Sequence, residues 1–193
     1  MDRLYDFEEQ LAFSKGKRQK TDTATIQQMI AGCVSVEIAP TEMDRAGIDY
    51  IATLRGGAQI FIDAKARDTG CSQYWKDGPE LALEDWSVIP ENGRRGKVGW
   101  TLDEGKQTNL VLFTFDLQDT EQCFLLSFQL LRVAFRHNYR QWREQYKNDT
   151  QCSNGWRSHC IFVPASAVFD AIQLASTGVI GAPTSNPGDS NFK

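Results

Sequence analysis

The stretch "GIDYIATLRGGAQIFIDAKARD", residues 47–68, carries two aspartates and a lysine at the ends of two hydrophobic runs. Asp49 opens the first run, Asp63 and Lys65 close the second, and Gly56-Gly57 lies between them. Paired glycines supply the positive φ angles of a tight β-turn, so the two runs read as a hairpin. Counting outward with Arg55 opposite Ala58 sets Tyr50 beside Asp63. Asp49 is then a diagonal neighbour, within about 7–8 Å. Asp63 and Lys65 are two apart on one strand and leave the same face. Two carboxylates at that range can share a divalent cation through oxygen ligands, as Mg2+ prefers, with waters completing the shell. A lysine beside them can orient or deprotonate an attacking water and offset charge building on a phosphate. The arrangement suits phosphodiester hydrolysis. The blander use of the same residues is a solvated strand end, or an ion pair worth at most about 1 kcal/mol.

The pattern resembles the PD-(D/E)xK nuclease superfamily, in which a helix precedes a three-stranded meander. In that family the first acid opens the second strand and the D/E-x-K tripeptide lies on the third. Here Ile48-Asp49 stands where the family has Pro-Asp, so the proline is missing, and Asp63-Ala64-Lys65 matches the tripeptide. The resemblance covers residues 22–67 and extends loosely to about residue 115. The segments "DRAGIDY", "IDAKAR", "LALEDWS", "GWT" and "KQTNLVLF" are similar to uncharacterised phage or integrative-element proteins of this class. The resemblance implies an α/β fold with a restriction-endonuclease-like mixed central sheet, its three-stranded antiparallel meander flanked by helices. It implies a metal-dependent nuclease acting on DNA, with Mg2+ or Mn2+ held by Asp49 and Asp63 and with Lys65 serving the water and the phosphate. A second reading keeps the fold without the catalysis. The chain is then a phage or mobile-element interaction protein that binds a host protein or nucleic acid. A third is a structural or regulatory domain without a nucleic-acid partner.

Further acids are candidates to complete the site. Glu37 shares a strand face with Ser35, opposite Val34, Val36 and Ile38, and is a third metal-ligand candidate. Glu84, in "LALEDWS", reads as an acid on the side of Leu81 and Leu83, and an acid on an apolar face usually has a partner or a metal. Glu8, Glu9 and Asp44 are weaker candidates, and Gln107 is placed either to hold a water or phosphate or, more simply, to cap. Phosphate contacts are sought in Arg67, in "KGKRQK" with Lys17 and Arg18, and in Arg94-Arg95. Another candidate is the stripe Arg132, Arg136, Arg140, Arg143 and Lys147, whose spacing puts it on one helical face. Phe135, Tyr139, Trp142 and Tyr146 make a second stripe that reads as core.

The elements that must hold these residues follow from pattern. Residues 3–14 read as an amphipathic helix, and a second helix runs to Gly32 from an N-cap at Asp22 or Thr23. "CVSVEIAP" is a strand ending at a proline, followed by the hairpin. "ELALEDWSVI", "NLVLFTFD" and "QCFLLSF" are further strands, "PENGRRGKVG" is a loop, and "TLDEGKQT" is a short helix or turn. "QLLRVAFRHNYRQWREQYK" is the longest helix, and a last strand leads into a helix from about Ala165. The 193 residues read as one domain over 1–176, with a flexible tail from 177. A net charge of −4 argues against coating nucleic acid through bulk positive potential. Sequence-specific cutting would then need loops or a homodimer. No run is long and apolar enough for a membrane span, and no signal pattern opens the chain, so the expected location is cytoplasmic. The five cysteines are odd in number and form no CxxC. Cys152, His159 and Cys160 make a three-ligand metal set of irregular spacing, whose simpler reading is loop and strand-start residues.

Overall fold

The computed structural model describes residues 18–67, 70–91, 93, 95–117, 120–153 and 156–180. The expected helix over 3–14, with Glu8 and Glu9, lies outside the described residues, as do Lys17, Arg94 and the tail from 181. Among the described residues the order is α1 (Arg18–Met29), β1 (Cys33–Ile38), β2 (Tyr50–Leu54), β3 (Gln59–Arg67), β4 (Glu80–Val88), β5 (Lys97–Val98), β6 (Leu110–Asp116), β7 (Glu121–Ser127), α2 (Phe128–Gln145), β8 (Asn148–Ser153), β9 (Trp156–Pro164) and α3 (Ala165–Ser176). The chain packs as two compact units. Among the described residues, one holds 18–75 together with Gly105–Phe128, and the other holds Lys76–Glu104 and 129–180.

The first unit is built on a five-stranded mixed sheet in the order β1-β2-β3-β6-β7. β1, β2 and β3 form an antiparallel meander, β6 runs parallel to β3, and β7 returns antiparallel to β6. Helix α1 covers one face, where Ile26 and Ile30 pack with Tyr50, Ala52, Ile62 and Leu112. Period-two alternation sends Phe61, Asp63, Lys65 and Arg67 to the opposite face. In β6, Val111, Leu112, Phe113 and Phe115 are all buried, as suits a strand covered on both sides.

Two details of this unit differ from the sequence reading. Helix α1 starts at Arg18, before Asp22, so Asp22 lies inside the helix and is not its N-cap. The Asp22 carboxylate is buried and accepts a hydrogen bond from the Tyr50 hydroxyl at 2.9 Å. The hairpin turn has three residues rather than two. Leu54 donates to the Ala58 carbonyl at 2.8 Å, and Arg55, Gly56 and Gly57 form the loop. Gly56 and Gly57 both take positive φ, 96° and 87°. The longer loop moves the register by one residue, so Tyr50 pairs with Ile62. Asp49 therefore stands directly across from Asp63, not diagonal to it.

The second unit holds a four-stranded antiparallel sheet in the order β5-β4-β9-β8. On α2, Phe135, Tyr139 and Trp142 are buried, so three of the four stripe residues are core, while Tyr146 lies just past the helix and is half-buried. Strand β8 replaces an expected loop. Cys152 lies in β8 and Cys160 in β9, and all five cysteines are free thiols. Neighbours along β9, His159 and Cys160, point to opposite faces, and among the described residues no group of three His, Cys, Asp or Glu could hold a metal. On β4 the sequence reading is off by one residue. Leu81 and Leu83 are fully buried, and the acid that shares their face is Asp85, at 1% exposure. Glu84 belongs with Ala82 on the other face. No helix among the described residues is long and apolar enough to cross a membrane.

Candidate active site

Asp49 sits just before β2, clamped on both sides by the meander. Its N–H donates to the Ile62 carbonyl at 2.8 Å and its carbonyl accepts from Ala39 N–H at 2.8 Å. Those two bonds fix the backbone, so the side chain has one direction left. Oδ2 accepts the Ala64 N–H at 2.7 Å, across the strand pair. Asp63 comes from the neighbouring position of β3 and is almost wholly covered, with its side chain 4% exposed. Lys65 Nζ lies 2.5 Å from Asp63 Oδ1 and is 31% exposed, so its ammonium bridges the buried acid and the surface.

The electrostatics follow from that packing. Burial pushes the Asp49 carboxyl up to about 6, and the negative charge of Asp63 adds to the rise. The Ala64 N–H and the Lys65 charge pull it back only in part, and a side-chain hydrogen bond to Asp63 pushes it further up. Two carboxyls facing each other in a half-dry site cannot both ionise freely. Asp49 therefore keeps its proton over a pH range where free aspartates are ionised.

The other sequence candidates fall into two sets. Arg67 lies on the same strand face as Asp63 and Lys65, paired in register with Phe115 of β6. Glu37 is exposed on β1 and registers with Ile51, two positions along from the Asp49 row. It shares that face of the sheet without joining the Asp49–Asp63 contact. Glu84, Arg95, Arg136 and Arg140 all belong to the second unit. Glu84 accepts hydrogen bonds there from the Ser87 hydroxyl at 2.6 Å and the Trp100 N–H at 3.0 Å. Arg136 is ion-paired with Glu104 at 2.7 Å and only 13% exposed, so most of its donors are turned inward. Arg95 and Arg140 are exposed, and Arg18 opens α1.

One cation beside the site was missed in the sequence. Lys106 lies against Gly47, two residues before Asp49, so closely that a Cβ on Gly47 would run into its side chain. The segment that carries it is strapped to the site. Gln107 N–H donates to the Ala46 carbonyl at 2.9 Å, and the Thr108 hydroxyl donates to the Gly47 carbonyl. Asn109 closes the strap by accepting the Phe61 N–H on its side chain at 2.8 Å. The available signal was the polar run "KQTN" directly before a buried strand, whose Thr108 and Asn109 side chains bond Gly47 and Phe61. No family model matches this chain, and no curated protein or solved structure is significantly similar to it.

Proposed function

We propose that this chain is a nuclease, hydrolysing phosphodiester bonds in DNA with Mg2+ or Mn2+ held by Asp49 and Asp63. The observation that carries the reading is the opposition of these two carboxyls across β2 and β3, with Lys65 bonded to Asp63 and the Asp49 carboxyl pushed up to about 6. The donor set fits a hard divalent cation. It offers carboxylate oxygens only, and its two acids repel until something positive lies between them. Two carboxylates with waters and substrate oxygens match the way Mg2+ is usually held. When bound, the cation supplies Lewis-acid polarisation of the phosphate.

The rest is the work of the protein's own residues. The Ala64 N–H holds Asp49 in place, and Lys65 holds Asp63. The Lys65 ammonium, partly exposed on the same face, positions the attacking water and offsets negative charge growing on the phosphate. Lys106 and Arg67 flank the acids and draw the DNA backbone towards them. The restriction-endonuclease-like architecture is part of this proposal. In its favour, a helix precedes the meander, the first acid directly precedes the second strand, and the tripeptide lies on the third.

The test pairs nuclease assays on linear, branched and single-stranded DNA with calorimetric Mn2+ titration. Lys65→Ala should lower cleavage by about 100-fold or more while keeping Mn2+ affinity. Asp63→Asn should lose cleavage and Mn2+ binding together, because a neutral amide replaces an anionic ligand. A wild type that neither binds the ion nor cuts any substrate would leave the interaction-protein reading in its place.

A further inference from the structure

Strand β4 carries a β-bulge that builds a second site, wholly within the second unit. Glu84 pairs with Cys160 and Trp86 with His159, so Asp85 is the extra residue without a partner position on β9. A bulge re-aims the side chain it carries. Here it seats a carboxylate among buried apolar residues and directs it at two donors. His159 Nδ1 lies 2.5 Å from Asp85 Oδ1, and the Tyr139 hydroxyl donates to Oδ2 at 2.8 Å. The bulge is pinned from outside by Gly99, whose N–H donates to the Asp85 carbonyl at 2.8 Å.

The network continues from this acid to a cavity. Arg143 donates to the Tyr139 hydroxyl at 3.1 Å, and its guanidinium lies 6.0 Å from the centre of the Tyr139 ring. Arg143 forms no ion pair with a carboxylate among the described residues. A carboxylate accepts and does not donate, so the His159 hydrogen sits on Nδ1 and Nε2 is left for another partner. Arg143 and His159 line a cavity of about 350 Å³ together with Arg157, Trp86, Ile89 and Pro90. Arg157 is held at the rim by Glu91 at 3.0 Å and is 48% exposed. The volume is at the small end for ligand pockets.

Two guanidinium groups and an imidazole share this lining with an indole, an isoleucine and a proline. Arginine forks match phosphate oxygens in pairs, and a half-buried indole offers its face to a planar ring. We propose that this cavity binds a small phosphorylated ligand of the mononucleotide class, its phosphate between Arg143 and Arg157 and its base against Trp86. Such a site stands apart from the reaction proposed at Asp63, and neither needs the other.

Calorimetric titration of the full chain in the presence of a chelator excludes anion binding through a metal at Asp49 and Asp63. The probes are AMP, inorganic phosphate and adenosine. AMP should bind most tightly, phosphate more weakly and adenosine least. Arg143→Gln should weaken AMP binding at least tenfold, the loss of one charge-assisted hydrogen bond. Arg157→Gln alters a half-exposed side chain and should weaken AMP binding in the same direction without unfolding the chain. Adenosine binding as tightly as AMP would overturn the phosphate subsite. Phosphate binding as tightly as AMP would overturn the base subsite. Absence of AMP binding to wild type, or unchanged affinity in both arginine variants, would overturn the whole proposal.

Discussion

Asp49 is the residue where the proposed function and stability pull against each other. Its carboxyl titrates at about 6 in the folded chain against an ordinary value of 3.8. Folding therefore binds an extra proton between those values. Stability from this group is fully present below the lower value and is lost as pH rises towards and through the higher one. At neutral pH burying an ionised Asp49, with the Asp63 charge adding to it, costs up to about 3 kcal/mol, since each tenfold change in proton affinity corresponds to about 1.4 kcal/mol. Asp49→Asn keeps an oxygen for the Ala64 N–H and removes the repulsion. Its melting temperature at about pH 7.5 should exceed that of wild type, with the gain shrinking as pH falls to about 4. Mn2+ binding should be lost in the same variant, a trade expected where an active site is held in a destabilised arrangement. Mn2+ affinity of the wild type should fall as pH drops through about 6, because the ion must displace the Asp49 proton. Calorimetry in buffers of different ionisation enthalpy would show proton release on binding, and a pH-independent affinity would contradict Asp49 as a ligand.

Elements are legible in the sequence where pattern and turn chemistry agree. The meander follows from alternation interrupted by Gly56-Gly57, and the aromatic face of α2 follows from helical spacing. Counting residues in the turn fails because paired glycines suit two-residue and three-residue loops alike. The three-residue form wins, and it improves the site by bringing Asp49 opposite Asp63. The start of α1 is misread because an aspartate in a polar run looks like a cap, whereas Asp22 is the buried partner of the Tyr50 hydroxyl. Strand β8, "NDTQCS", has no apolar alternation, so nothing local distinguishes it from a loop. Asp85 follows Leu81 and Leu83 by simple alternation, so choosing its neighbour Glu84 is a miscount, whereas the bulge itself cannot be seen without the partner strand. Two glycines separate these causes experimentally. Gly57 has positive φ and open space around it, so Gly57→Ala should cost only the left-handed backbone penalty, about 1–2 kcal/mol. At Gly99 a Cβ would run into the Glu84 carbonyl, and the backbone there cannot yield without releasing the bulge. Gly99→Ala should therefore destabilise by more than Gly57→Ala in urea unfolding. It should also weaken AMP binding, which Gly57→Ala should leave unchanged.

At the scale of the whole chain, the sheet that carries Asp49, Asp63 and Lys65 is split in sequence by the second unit. Strand β3 ends at Arg67 and its parallel neighbour β6 begins at Leu110, with Lys76–Glu104 belonging elsewhere. A single-domain expectation rests on length alone, and length cannot show such an interruption. Every bond that fixes the candidate site stays inside its own unit: Ala39 to Asp49, Asp49 to Ile62, Ala64 to Asp49, Gln107 to Ala46 and Phe61 to Asn109. So does the core beneath it, with Ile26, Ile62, Val111 and Leu112 fully buried. Residues up to 128, with Lys76–Glu104 replaced by a short flexible linker, should therefore fold. Residues 68–75 and 105–109 together with the linker still provide the dozen or more residues that a parallel crossover needs. The shortened chain should unfold cooperatively at a lower temperature than the full protein, since a smaller core supports less stability. Its Mn2+ affinity should stay within about tenfold of the full chain, and Asp63→Asn should abolish it in both. AMP binding should be absent, because Arg143 and Arg157 are gone. A folded short chain, with cooperative unfolding and native-like circular dichroism, that nonetheless fails to bind Mn2+ would show that ligands from the second unit are required.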